Sequence, residues 1–276
     1  MTVEILNYLH RKGFRRQLAV ICGLCYFVKG NGYVESRYIE KFRAYSFKVK
    51  GITYLSLGPG WAFSFDYLRN EIIKTYNYYY LPVPGDCVVD IGAGLGEESV
   101  IYSLLVGGMG KVHSLEANPI TFAGLQFMCN QNNFTQTTPH HVAIYKNDGE
   151  VTIEDDAENY LTNTINSEGK GRPSIVVNAK TLDTLIMENN IDRIDFLKSN
   201  IEGAEQYLIE GMKNSINIIK NVCISCHDFR HVYHNHGEFY MTKNKVITFL
   251  KDHGFEVVIR NTGNRVVDDY IYGAKK

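Results

Sequence analysis

No surplus charge, no long apolar run and no repeat marks this chain, and each absence removes a class of protein. Its 29 Lys and Arg stand against 30 Asp and Glu, a formal net charge of -1, and neither sign is clustered. The electrostatic footprint of a nucleic-acid binder is therefore missing. A small molecule or a glycan is the partner this leaves. The apolar stretch at positions 18–28, which follows Arg11, Lys12, Arg15 and Arg16, falls short of the roughly 20 residues that a bilayer crossing takes. No small-x-small cleavage site follows it before Lys29, so neither a secretory leader nor stable membrane insertion is expected. A helix that packs on the domain, caps a site, pairs two subunits as a homodimer or rests on a membrane surface fits this stretch. No internal repeat or low-complexity tract points to a solenoid or a disordered array.

Cysteine is sparse. The six (Cys22, Cys25, Cys87, Cys129, Cys223, Cys226) include two C-x-x-C pairs, a spacing that also serves zinc and redox chemistry. Both pairs lie in apolar runs, where cysteine serves as a small buried hydrophobe. The others fall in expected strands or helices, which fits a reducing, cytoplasmic setting.

At 276 residues the chain can bury a large core in one domain. The pattern divides it into an extension, residues 1–80, and a main domain, residues 81–276. The extension reads as a helical N-terminus, then a hairpin in which "YSFKVKG" and "ITYLSL" alternate around Gly51, then an aromatic helix over 63–79. Tyrosines 76, 78, 79 and 80 either line a pocket or pack against a sheet. From Asp86 onward apolar strands alternate with helices, the mark of a parallel α/β sheet. Strands are expected at 87–91, 111–115, 140–144, 195–198 and 221–225, with a small hairpin and a mobile loop, around 168–173, inside the insert 149–177. A helix at 243–253 leads to "FEVVIR", the turn "NTGN" and "VVDDYIYGA", read as an antiparallel hairpin. An antiparallel final strand on an otherwise parallel sheet separates the methyltransferase version of this architecture from the dinucleotide-binding one.

"VVDIGAGLGEES" sets Asp90, Gly92, Ala93, Gly94 and Gly96 at a strand-to-helix turn, where a side chain would obstruct a ligand approaching the backbone. The G-x-G-x-G spacing lacks the wider gap of the nicotinamide fingerprint. Glu116 and Ala117, in "VHSLEANP", end the next strand, and the Glu116 carboxylate can accept hydrogen bonds from both hydroxyls of a ribose.

With these motifs and "LKSNIEGAE" from 197 to 205, the chain resembles the FkbM-type methyltransferases over about residues 80–260. The resemblance implies a Rossmann-like class I methyltransferase fold. This is a mostly parallel seven-stranded sheet with an antiparallel C-terminal strand, carrying here an N-terminal helical and hairpin extension. It also implies S-adenosylmethionine as cofactor and methylation of oxygen on a sugar, glycolipid or secondary metabolite. The family's aspartate between lysine and glutamate is Asn200 here. An asparagine still hydrogen-bonds a methionine ammonium or an acceptor, but it cannot act as a base.

An alcohol acceptor must lose a proton. His227 is the expected base, with Asp228, Glu202 and Asn200 completing the catalytic set and Glu205 read as structural. Hydrogen-bonding polar residues are expected rather than a metal centre, with a divalent ion on Glu202, His227 and Asp228 as the weaker alternative. A nicotinamide-dependent dehydrogenase and a cofactor-binding module without turnover, the latter suggested by Asn200, are the competing functions.

Overall fold

The computed structural model describes residues 3–28, 34–59, 65–155, 164–165 and 173–275. The extension comprises α1 (Val3–Arg11), α2 (Arg15–Val28), β1 (Glu35–Ile39), β2 (Ala44–Val49), β3 (Ile52–Ser56) and α3 (Phe65–Tyr76). Then come β4 (Cys87–Ile91), α4 (Glu97–Val106), β5 (Lys111–Glu116), α5 (Pro119–Asn132), β6 (Thr137–His141) and β7 (Ala143–Ile144). The insert supplies β8 (Gly149–Glu154) and β9 (Ser174–Lys180), followed by α6 (Leu182–Glu188), β10 (Ile194–Ser199), α7 (Glu205–Glu210) and β11 (Ile219–Ser225). The chain closes with α8 (Asp228–His234), α9 (Lys243–Asp252), β12 (Phe255–Ile259), α10 (Arg265–Asp268) and β13 (Tyr270–Lys275).

The main sheet has seven strands in the order β12-β13-β11-β10-β4-β5-β6. β13 runs antiparallel to both neighbours, whereas the β11-β10-β4-β5-β6 pairings are parallel. The expected antiparallel C-terminal strand is present, inserted between β12 and β11 rather than added at an edge. β4, "CVVDI", is buried throughout, as a central strand covered on both faces must be. Two apolar clusters form the faces. One joins Leu6, Leu18, Tyr45, Phe47 and Tyr54 of the extension to Val88, Val100, Ile101 and Phe196, so the extension shares its core with the main domain. The other covers the opposite face through Val89, Ile91, Leu197, Leu208 and Ile224.

The structure departs from the sequence pattern at several points. The strand expected at 140–144 is two strands: β6 begins at Thr137 as the sheet's edge, and β7 leaves it to pair with β9. Its polar sequence "TTPHH" hid the start, and Pro139, lacking an N–H, is tolerated on an edge strand. The expected hairpin in the insert is β8 and β9, antiparallel from Gly149↔Ala179 to Glu154↔Ser174. Residues 168–172 of the expected loop lie outside the described residues. The hairpin β2–β3 forms as expected, and β1, which alternation did not reveal, adds a third strand. At the C-terminus Arg265–Asp268, "RVVD", is helical, not extended. Asn264 caps it by accepting from Val266 N, and Asp268 accepts from Thr262 N and Gly263 N, folding the link between β12 and β13 back on itself.

All six cysteines carry free thiols, and all but Cys25 are buried. Among the described residues no helix is long and apolar enough to cross a membrane.

On β5, His113 is 7% exposed and its Nδ1 lies 3.1 Å from His140 Nε2 on β6. Burial, with His140 and Lys111 adding repulsion, pushes the His113 pKa down to about 4. The folded chain then binds fewer protons than the unfolded chain, whose histidine titrates near 6.5. Stability should fall as pH drops from about 6.5 to about 4, by up to about 3 kcal/mol from this group. Urea titrations across that range should show the loss in the native sequence and a shallower one in His113→Gln; equal slopes would refute the assignment.

Candidate functional site

The carboxyl ends of β4, β5 and β10 meet at a cavity of about 290 Å³. Its wall includes Gly92, Ala93 and Gly94 from the turn after β4, Glu97 and Glu98 from the start of α4, Glu116 and Ala117 at the end of β5, and Asn200, Ile201 and Glu202 after β10. Val142, Ala143, Ile144, Ile153 and Ile165 make an apolar side, and Tyr76 of α3 closes another.

The turn is held from several directions. Gly92 N and Ala93 N both donate to Leu115 O, and Asn200 N donates to Ile91 O. Gly92 has φ 72, and a Cβ there would overlap the Asn200 carbonyl, so the loops after β4 and β10 touch only because this residue is glycine. Gly96 lies outside the cavity wall and starts α4, its carbonyl accepting from Val100 N.

Asp90 is fully buried and does not reach the cavity. Its Oδ1 lies 2.9 Å from Lys198 Nζ, and its Oδ2 accepts from Ser99 Oγ at 2.7 Å. Lys198 is buried too and donates to Gly92 O at 3.0 Å, with Glu98 Oε2 at 3.9 Å. Burial opposes its charge, but Asp90 and Glu98 outweigh that and raise its pKa. Lys198 was missed as a site residue. The signal was a lysine inside the apolar strand "IDFLKS", a placement that requires a buried partner.

Glu116 sits at the end of β5 with Oε2 accepting from Gly94 N and Oε1 from Asn118 N, each at 2.8 Å, and from Thr121 Oγ1 at 2.9 Å. Burial raises its pKa, against the pull of those three donors. Asn118 caps α5, its Oδ1 accepting from Ile120 N and Thr121 N, with Pro119 at the first helical position. The helix start and the carboxylate are thus positioned by the same short sequence, "EANP". Asn200 donates from Nδ2 to Tyr76 Oη at 3.2 Å, which leaves its Oδ1 without a hydrogen-bond donor among the described residues. Of the clustered tyrosines Tyr76 alone lines the cavity; Tyr78 packs on Tyr272, and Tyr80 donates to Asp86.

Glu202 and Gly203 both have positive φ, 56 and 98. A side chain on Gly203 would collide with Phe239 and Tyr240, which explains the glycine of "EGAE". Glu202 faces the cavity and pairs with Arg230 and, at 3.4 Å, with His227 Nε2. His227 Nδ1 lies 2.8 Å from Glu205 Oε1, and Glu205 also accepts from Thr242 Oγ1 and Gly203 N. Burial works against the His227 proton, but the carboxylates of Glu202 and Glu205 hold its pKa up to about 10. Burial would raise the Glu202 carboxyl, yet His227 and Arg230 bring it below the usual range.

His227 and Asp228 therefore do not stand in the cavity as the sequence led one to expect. Both ring nitrogens of His227 face carboxylates, and Asp228 accepts from Thr242 N and Lys243 N, capping α9. The trio Glu202, His227 and Asp228 does not converge on a shared point, and no group of three His, Cys, Asp or Glu suited to a metal occurs among the described residues. Arg230, Glu97 and Glu98 are the further charged groups that motif reading passed over.

Residues 90–257, more than half of the chain, match the family model described as the methyltransferase FkbM domain. The chain belongs to the FkbM methyltransferase family. Among solved structures, a methyltransferase FkbM from Methylobacillus flagellatus KT is similar at 18% identity and a TM-score of 0.50, over 78% of this chain and 52% of that one. This chain thus spans about half the length of that protein. Fibrillarin from Aeropyrum pernix, solved with natively bound S-adenosyl-L-methionine, matches at 14% identity and a TM-score of 0.45, over 87% and 97%. A SAM-dependent methyltransferase from Aquifex aeolicus matches at 13% and 0.42, over 77% and 97%. No curated protein matches the sequence. The fold is that of the Rossmann-like methyltransferases.

Two outcomes test this electrostatic arrangement. Lys198→Met strands the Asp90 charge and should destabilise the chain by about 3–5 kcal/mol in urea unfolding, with much of the loss recovered when Asp90→Leu is added; equal costs for single and double variants would contradict it. The His227 ring, followed by NMR, should stay protonated well above its ordinary value of about 6.5. A midpoint near neutrality would show that the two carboxylates are not engaged.

Proposed function

We propose that the cavity binds S-adenosylmethionine and that the chain methylates a hydroxyl oxygen on a sugar, glycolipid or secondary metabolite. One observation carries this reading. The described wall holds the carboxylates of Glu97, Glu98, Glu116 and Glu202 and no lysine, arginine or histidine. Such a wall suits a ligand of net positive charge. A nicotinamide dinucleotide would bring its pyrophosphate to the start of α4, where it would meet two acidic side chains and no cation of the described wall, so the same groups argue against a dehydrogenase.

The residues present fit the cofactor. Glu116 has four lone-pair sites, three of them engaged, so one carboxylate position and the displaceable Gly94 N–H remain for ribose hydroxyls. Asn200 Oδ1 offers an acceptor to the methionine ammonium. Bound donor supplies a methyl group on a sulfonium, already activated for in-line displacement. What remains for the protein is positioning and management of the acceptor's proton.

For that second task we assign Glu202 rather than His227. A histidine that holds its own proton to about 10 is a poor base at neutral pH. It serves instead, with Arg230, to keep the Glu202 carboxylate ionised, so that Glu202 accepts a hydrogen bond from the acceptor hydroxyl, orients its lone pair and takes up its proton as the oxygen–methyl bond forms and the sulfur–methyl bond breaks. Asp228 contributes by fixing α9 behind this group.

Calorimetry tests the cofactor reading. The native chain should bind S-adenosylmethionine and not NAD, while Gly92→Ala and Glu116→Ala should each weaken binding, the latter by about 1.5–3 kcal/mol for the lost charge-assisted bonds. Unchanged affinity in both folded variants, or tight binding of NAD, would overturn it.

A further inference from the structure

The start of α4 brings two consecutive carboxylates to the cavity, and they differ in their surroundings. Glu98 lies 3.9 Å from Lys198, whereas Glu97 has no hydrogen-bond or ion-pair partner among the described residues. Lys198 pulls both carboxyls down but offsets their burial only in part, because its ammonium is shared with Asp90 at 2.9 Å and Gly92 O at 3.0 Å. The remaining titratable groups on the cavity wall are Glu116 from β5, Glu202 from the loop after β10 and Tyr76 from α3. Glu202 is matched by Arg230 and His227, and Glu116 by three donors, so Glu97 is the least compensated carboxyl group on the wall.

The methyl donor and its demethylated product share a ribose, an ammonium and a carboxylate. They differ in one methyl group and in one charge, since the sulfonium becomes a neutral thioether. Ammonium and carboxylate offset each other in both, so the charge of the sulfonium is what an acidic wall can read. We propose that Glu97, assisted by Glu98, makes this site selective for the cationic donor over the neutral product, with entry of the cation expelling a proton from Glu97 to solvent. This rests on the cofactor reading above and adds a means of product release: methyl transfer removes the charge that the wall holds.

Burial, with repulsion from Glu98 and against the pull of Lys198, pushes the Glu97 carboxyl up to about 8. An incoming cation favours the ionised form. Donor binding should therefore release part of a proton near pH 7 and tighten as pH rises toward about 8. Product binding should do neither.

Calorimetry on the full chain tests this, with S-adenosylmethionine and S-adenosylhomocysteine as probes, each in two buffers of different ionisation enthalpy. The native chain should release protons with the donor only. In Glu97→Gln the donor-to-product affinity ratio should shrink about tenfold, the equivalent of one pKa unit of coupling. Retained product binding would report an intact pocket in the variant, and the proton count on the native chain depends on no variant at all. Equal weakening of both ligands, an unchanged ratio, or equal proton release with both would overturn the inference while leaving the cofactor reading in place. Failure of the native chain to bind either ligand would overturn both.

Discussion

A single buried ammonium organises the part of the molecule that carries function. Lys198 and Asp90 are register partners on adjacent parallel strands, so their pairing fixes β10 against β4 at the level where both strands end. The same ammonium takes the carbonyl of Gly92, and the same carboxylate takes the hydroxyl of Ser99 on α4. Strand, turn, helix and neighbouring strand are therefore tied at one point out of water. Burying two charges is costly unless their remaining hydrogen-bonding sites are filled, and here most are. The motif's charged residues act mainly through geometry: Asp90 never meets the ligand cavity, but it determines where the turn that forms the cavity stands.

A second cluster repeats the principle nearer the surface. Glu202 and Glu205 against His227 and Arg230 form a balanced set, and it fixes a loop whose backbone at Glu202 is in a region most side chains avoid. The two clusters leave different charges at the cavity. Behind the wall the positive charges are matched, while on the wall carboxylates predominate. Ligand charge is in this sense selected by how the cations are withdrawn from contact.

Much of this architecture was legible because it rests on local rules. Apolar strands alternating with helices announced the parallel sheet, "DIGAGLG" the strand-to-helix turn, "VHSLEANP" the carboxylate at the end of the next strand, and the segment after residue 254 the antiparallel strand. What escaped was set by tertiary partners. "TTPHH" pairs as an edge strand without the hydrophobicity that marks one, and "RVVD" turns helical because Asn264 caps its first turn while Asp268 accepts from the preceding Thr262 and Gly263 backbone. His227 looked like a base from residue type and position after a strand. Its role depends on Glu202, in the loop after β10, and Glu205, at the start of α7, closing on it, and no spacing encodes that.

The departure of β7 from the main sheet has a thermodynamic consequence. Ala143 and Ile144 line the cavity and at the same time pair with Ala179 and Lys180 at the base of the insert, whose Ile153 and Ile165 complete the same apolar side. Occupancy of the cavity and docking of the insert are consequently linked equilibria. A ligand that needs this wall binds the docked arrangement in preference, so at concentrations above its Kd it stabilises the insert's place, by an amount that grows with the logarithm of its concentration. By reciprocity, any change in the insert that alters its docking registers as a change in ligand affinity, even at residues that never touch the ligand.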